Sequence, residues 1–171
     1  MANQAKAPAE SGAGYPRALA ARIGFLLARA HLIAREKADR ALDGVGLSMK
    51  GFAALSTLVS DGPTSQQRLS QRIRMDPATM VGVIDSLERS GHIVRRRNPE
   101  DRRAYALHST AKGRALHTRA QRALVAAERE TVRGLDAEET EVLMELLGRI
   151  AHAERTESLA RDEQVSRALG R

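Results

Sequence analysis

Five arginines stand within nine residues near the middle of the chain: Arg95, Arg96, Arg97, Arg102 and Arg103. Only Glu100 and Asp101 oppose them over the same stretch. A guanidinium group binds phosphate oxygens through paired hydrogen bonds, and it can enter a narrow minor groove of DNA. An isolated cluster of this kind is usually a solvated charge run, so its interpretation depends on the elements that carry it.

The cluster follows two short segments with helical apolar spacing. We expect helices over residues 66–73 and 77–90, separated by a three-residue turn. In a helix-turn-helix the second helix reads base edges near its N-terminus, and helix amides contact phosphates. The same spacing also fits two packed helices that do not contact DNA. The residues predicted to face DNA from this pair are Gln66, Gln67, Arg72, Asp76, Pro77, Ala78, Thr79, Val81 and Gly82.

The basic cluster itself lies on a predicted β-hairpin. Residues 93–97 and 104–108 are short strand candidates joined by turn-prone residues. Strand alternation sends Arg95 and Arg97 to one face and Arg96 to the other. Arg102 and Arg103 lie at or just past the tip of the hairpin. Because this hairpin adjoins a helix-turn-helix pattern, contact of these arginines, except Arg96, with DNA becomes the favoured interpretation.

Capping residues mark the other helices. Residues 17–42 have continuous helical spacing, and Ser48 is a good N-cap for the helix that follows. Ser65 or Thr64 can cap the helix at residue 66, and Asp76 can cap the helix that begins with Pro77. Two C-terminal helices are predicted as well, the first after Thr110 and the second at Asp136 with Glu139 in a capping box.

The predicted fold class is mainly α with a small β-wing. The last helix carries an apolar stripe that includes Leu143, Leu147 and Ile150, and we expect a second copy of the chain to cover it. The predicted division is a disordered tail at 1–14, an N-terminal dimerisation or linking helix at 15–45, a winged helix-turn-helix at 46–109, dimerisation helices at 110–158, and a helix end or tail at 159–171.

Composition narrows the function further. The net charge of +7 favours a polyanionic partner, and the absence of cysteine excludes disulfides and thiolate chemistry. The five histidines lack metal-ligand spacing, and no catalytic motif is present, so we predict no enzyme activity, no metal and no cofactor. No apolar run approaches a membrane span and no signal core precedes the first helix, so we expect a cytoplasmic protein.

The ordered motifs resemble those of the multiple-antibiotic-resistance regulator (MarR) family over about residues 17–155. The resemblance is carried by Asp76-Pro-Ala-Thr-Met-Val-Gly-Val-Ile-Asp-Ser-Leu-Glu-Arg-Ser-Gly91, the Asp-x-Arg of Asp101 and Arg103, and Thr110-Ala-Lys-Gly113. It implies a homodimer that binds a palindromic operator, usually as a repressor released by a small and often anionic aromatic ligand. It also implies that Arg103 enters the minor groove and that Asp101 orients the wing arginine.

Two further expectations concern the effector ligand and the reading of DNA bases. The family places the first helix beside a cleft, where Phe25, His31 and Phe52 are candidates for binding an effector, although all three could be packing residues. The recognition helix is the predicted helix at residues 77–90, which would enter the major groove. In it, Val81 and Gly82 replace a polar pair common in the family. A nucleoid-type architectural protein with weak sequence preference, and a helical module that binds an acidic protein, therefore remain alternatives.

Overall fold

A computed structural model describes residues 15–97 and 105–151 of the chain. Its elements, in chain order, are α1 (Arg17–Ala20), α2 (Ile23–Asp43), α3 (Met49–Ser60), α4 (Gln66–Arg72), α5 (Pro77–Arg89), β1 (Ile93–Arg97), β2 (Tyr105–Ser109), α6 (Ala111–Thr131) and a helix α7 over residues 137–151. The predicted class, mainly helical with one small antiparallel sheet, is confirmed.

The hydrophobic core joins α3, α4, α5, α6 and the hairpin. Its largest fully buried side chains include Leu55, Leu69, Met80, Ile84 and Leu107. Aliphatic residues at helical spacing supply one face of each helix, and Ile93 and Leu107 supply the inner face of the hairpin. This core fixes the two helices of the predicted helix-turn-helix against the wing.

The hairpin pairs Ile93 with Ser109 and Arg97 with Tyr105. A short bridge joins it to the loop before α4, where the Leu107 amide donates to the Thr64 carbonyl at 2.8 Å and the Thr64 amide donates to the Leu107 carbonyl at 3.3 Å. The wing is therefore hydrogen-bonded to the segment that leads into the helix-turn-helix.

The predicted N-caps are confirmed. The Ser48 hydroxyl accepts from the Gly51 amide at 3.1 Å, and the Ser65 hydroxyl accepts from the Arg68 amide at 3.2 Å. The Thr110 hydroxyl accepts from the Gly113 amide at 3.0 Å. At the start of α7 the Asp136 carboxylate accepts from the Glu139 amide at 2.8 Å, while Glu139 accepts from the Asp136 amide at 3.0 Å, which completes the capping box.

The prediction of one continuous helix over residues 17–42 was wrong. Arg22 has an extended backbone, with φ −96° and ψ 125°, and it separates α1 from α2. Apolar spacing continues on both sides of this break, so periodicity could not detect it. Gly24, one of the weakest helix-forming residues, stands just after the break. Smaller differences lie at helix and strand ends, and β2 extends one residue further than expected, to Ser109.

The chain divides into two units, one up to Thr131 and one from Val132 onward. Within the parts that the structure describes, no helix combines the length and the apolar character needed to cross a membrane.

Candidate DNA interface

The turn between α4 and α5 is fixed by local hydrogen bonds. Ser70 is buried, and its hydroxyl donates to the Met75 carbonyl while its own carbonyl accepts from the Met75 amide at 3.0 Å. Arg74 adopts a left-handed conformation, with φ 51°, which is uncommon for a residue other than glycine. This tight reversal directs the chain from the end of α4 into the start of α5.

Helix α5 has one face in the core and another open to solvent. Met80, Ile84 and Leu87 are buried. On the outward side, Ala78, Val81 and Gly82 are exposed, because residues three and four apart share a helix face. Thr79 is half-buried, and Pro77, the first residue of the helix, is exposed. The N-terminal half of α5 is therefore available to a partner while its other side is anchored.

The remaining predicted residues of the helix-turn-helix have different surroundings. Gln67 is exposed and Gln66 is half-buried at the start of α4. Arg72 pairs with Asp61, with Nε 3.1 Å from the carboxylate, and both side chains are largely exposed. The Asp76 carboxylate is occupied as the N-cap of α5, because it accepts from the Thr79 amide at 2.8 Å.

The arginines of the wing, the β1–β2 hairpin, have different surroundings. Arg97 is exposed at the end of β1, but Arg95 turns toward α5 and pairs with Asp85 at 2.7 Å and with Glu88. The Asp85 hydrogen bond and the charge of Glu88 raise the pKa of the Arg95 guanidinium. The predicted roles of Asp101, Arg102 and Arg103 lie outside the described residues, in the connection between β1 and β2.

The sequence reasoning did not identify Asp85 and Glu88. Their spacing of three residues places both carboxylates on one side of α5, and a basic strand follows a few residues later. That combination was a usable signal for a contact between helix and wing. Strand alternation alone gave the face of Arg95 but not its partners.

The predicted effector residues are not joined by any ring contact within the described part of the chain. Phe25 meets the Tyr15 ring edge-on at 5.0 Å between centroids, whereas Phe52 stacks on His117 at 5.4 Å. His31 is exposed on α2. His117, which the sequence analysis missed, also has its Nε2 3.0 Å from the Ser56 hydroxyl, so the α3–α6 contact carries an aromatic pair with a polar edge.

The N-cap of α5 gives a prediction about pH. Hydrogen bonds from Thr79 lower the pKa of Asp76 below its ordinary value of 3.8. Because the folded pKa is depressed, this carboxylate stabilises the protein above the unfolded pKa and loses that effect as pH falls through the folded value. Asp76→Ala is expected to unfold at lower denaturant concentration than wild type at pH 6, with the difference shrinking below pH 3.8.

Asp76→Asn is the matched control for this prediction. Asparagine is also a good N-cap and does not titrate, so it should keep most of the stability at pH 6. Urea unfolding followed by circular dichroism between pH 3 and pH 7 measures all three proteins. A stability difference between wild type and Asp76→Ala that does not change with pH would contradict the assigned cause.

Comparison with known proteins decides the family. The family model described as "MarR family" matches residues 47–105, which hold the helix-turn-helix and most of the wing. The HTH-type transcriptional repressor Rv2887 of Mycobacterium tuberculosis is 30% identical over 115 residues, a match that covers 67% of this chain and 83% of the relative. The chain belongs to the MarR family. The expected resemblance is thereby confirmed, and this protein is a MarR-family transcriptional regulator.

Other similar proteins extend the comparison. The regulator YkoM of Bacillus subtilis is 34% identical over 88 residues, but that match covers only 52% of this chain and 57% of YkoM. Rv2887 solved in complex with DNA has a TM-score of 0.67 and 27% identity, covering 76% of this chain and 98% of that one. CouR of Rhodococcus jostii, solved with p-coumaroyl-CoA, has a TM-score of 0.66 and 28% identity, covering 80% and 96%.

Proposed function

We propose that this MarR-family protein is a repressor that binds a pseudo-palindromic operator as a homodimer and is released by a small anionic ligand. The observation that carries the proposal is the exposed N-terminal half of α5, whose opposite face is buried in the core beside a basic wing. Such a helix can enter a major groove while the wing follows the adjacent minor groove. Its relative Rv2887 is named a repressor and has been solved with DNA.

Exposed apolar side chains support the homodimer. On α2, Ile23 and Leu32 are 74% and 55% exposed, and on α7, Met144 and Ile150 are 70% and 54% exposed. Of the predicted dimerisation residues, Leu147 and Ile150 are exposed and Leu143 is half-buried. Monomeric proteins rarely leave a contiguous apolar patch uncovered, and Leu143, Leu147 and Ile150, at spacings of four and three, share a face of α7 that a second copy of the chain would cover.

The testing experiment is selection of genomic fragments by the purified protein, followed by footprinting and by sedimentation of the complex. We expect one protected pseudo-palindrome with half-site centres about 10 base pairs apart, bound by two chains. Affinity should fall steeply with salt, because two wings and several helix ends neutralise phosphates. Protection that overlaps a promoter would agree with repression.

One observation favours a second candidate function. Val81 is 45% exposed and Gly82 has no side chain, so these two positions of α5 offer no side-chain hydrogen bond to a base edge. An architectural protein with weak sequence preference would have such a surface. Diffuse protection with similar affinity for unrelated sequences would favour this function over the operator-specific repressor.

For the effector, we propose an aromatic anion near Phe25, His31 and Phe52. CouR was solved with an aromatic acyl thioester, and the Phe52–His117 pair offers a flat apolar surface with a polar edge. His31→Ala is expected to raise the effector concentration that releases half of the operator by about tenfold, as for loss of one charged hydrogen bond.

Fluorescence anisotropy of labelled operator measures that concentration, with aromatic carboxylates and p-coumaroyl-CoA as probes. The control His108→Ala removes a histidine on β2 and should respond like wild type. If the His31→Ala protein were released at the wild-type concentration, His31 would have no part in the effector site.

A further inference from the structure

We propose that Arg95 is a positioning residue that fastens the wing to the recognition helix through Asp85 and Glu88, and that it is not a DNA contact. This inference rests on the proposed function and changes the role first predicted for Arg95. We name the set Arg95, Asp85 and Glu88 the wing clasp. It joins β1 to the C-terminal half of α5, the two elements that would have to enter neighbouring grooves of one operator half-site.

In the wing clasp, two carboxylates of α5 accept hydrogen bonds from one guanidinium group of β1. One terminal nitrogen of Arg95, Nη2, lies 2.7 Å from Asp85 Oδ1, and the other, Nη1, donates to Glu88 Oε2. The Arg95 amide also donates to Glu88 Oε1 at 3.3 Å. Glu88 therefore holds both the backbone and the side chain of the same residue on β1. Because the guanidinium is planar, hydrogen bonds from both of its terminal nitrogens fix its orientation as well as its distance.

Burial separates this arginine from its neighbours. The Arg95 side chain is 31% exposed, whereas that of Arg72 in its pair with Asp61 is 69% exposed. Arg96 and Arg97, the next residues on β1, are exposed. For Arg95 to bind a phosphate it would have to leave two carboxylates, and those carboxylates would then stand uncompensated beside a polyanion. The wing clasp instead neutralises both acids and holds β1 in place.

The test is whether removal of the two carboxylates strengthens or weakens binding to DNA. Asp85→Asn/Glu88→Gln removes two negative charges from each chain, so electrostatics alone predicts tighter binding to DNA. The wing clasp predicts the opposite, a loss of operator affinity of about tenfold, in the range of measured couplings between contacting residues. Asp61→Asn is the matched control, because it removes a carboxylate that is paired with an exposed arginine, Arg72. The operator affinity of this variant should equal or exceed that of wild type.

A mutant cycle and a salt series complete the experiment. Arg95→Gln should lose a similar factor, and combining it with the two acid substitutions should add little, because all three act through one contact. The slope of log affinity against log salt should stay at the wild-type value for Arg95→Gln. A lost phosphate contact would lower the slope by about 0.9 per chain. Thermal unfolding of each variant verifies that it is folded.

Two results of the binding experiments would overturn the proposal: wild-type or tighter binding by Asp85→Asn/Glu88→Gln, or a reduced salt slope for Arg95→Gln. A second readout needs no DNA and separates this inference from the proposed function. Amide hydrogen exchange over residues 93–97 should be at least about tenfold faster in Arg95→Gln than in wild type if the wing clasp holds β1. Unchanged exchange would overturn the wing clasp even if no operator were found.

Discussion

Gly113→Ala is expected to lower the free energy of unfolding by about 3 kcal/mol, the upper end of the usual cost of overpacking. A Cβ at this position would lie 2.0 Å from the His92 carbonyl oxygen and 3.0 Å from its carbon. That carbonyl cannot move away freely, because it accepts from the Thr110 amide at 3.0 Å and from the Thr110 hydroxyl at 3.1 Å. The start of α6 therefore packs on the backbone that leads into β1.

Differential scanning calorimetry should show the midpoint falling by roughly 6–12 °C for a loss of this size. Gly82→Ala is the matched control, since it makes the same chemical change in another helix. Nothing lies within 4 Å of a Cβ at Gly82, so that variant should gain about 1 kcal/mol of helix propensity. Equal midpoints for the two variants would show that the close approach at His92 does not constrain the fold.

Arg103→Ala is expected to weaken operator binding by about tenfold or more, because one such contact contributes about 1–3 kcal/mol and a dimer has two wings. Arg103 lies in the connection between β1 and β2, outside the described residues, but the strands on either side pair Arg97 with Tyr105. The salt slope should fall together with the affinity, which distinguishes this contact from the positioning role of Arg95.

Arg35→Ala serves as the charge control for that measurement. Arg35 lies on α2, pairs with Asp39 at 3.6 Å and is 66% exposed, so its removal changes net charge without touching the wing. Anisotropy titrations at several salt concentrations and sedimentation equilibrium measure affinity and dimerisation for both variants. Operator affinity equal to wild type in Arg103→Ala would remove this residue from the interface.

Much of the local structure could be read from the chain. Ser48, Ser65, Asp76, Thr110 and Asp136 were each predicted as caps or helix starts, because a short polar side chain before an apolar helical pattern satisfies free amides of the first turn. The strand at residues 93–97 followed from the end of the helical pattern before it and from the turn-prone residues after it. Such signals are local, and they depend little on what the chain later packs against.

The family and its fold were also within reach of the sequence, since several motifs stand in order at the right spacing. The extended backbone at Arg22 was not, because helical periodicity runs through it. Gly113 shows both what the sequence predicts and what only the packing explains. Its place in the motif was recognised from the sequence, whereas its physical reason, a carbonyl 2.0 Å from the missing Cβ, comes from packing between residues 21 positions apart.

Side-chain partners are what only the tertiary structure decided. The sequence by itself determined that five arginines, a capped helix pair and a hairpin stand close together along the chain. It could not assign Arg95 to Asp85 and Glu88, nor Phe52 to His117, because such contacts depend on the angles at which helices and strands cross. Helix caps form within one turn of chain, whereas the pairing of a wing arginine with helix carboxylates depends on how the core packs α5 against β1.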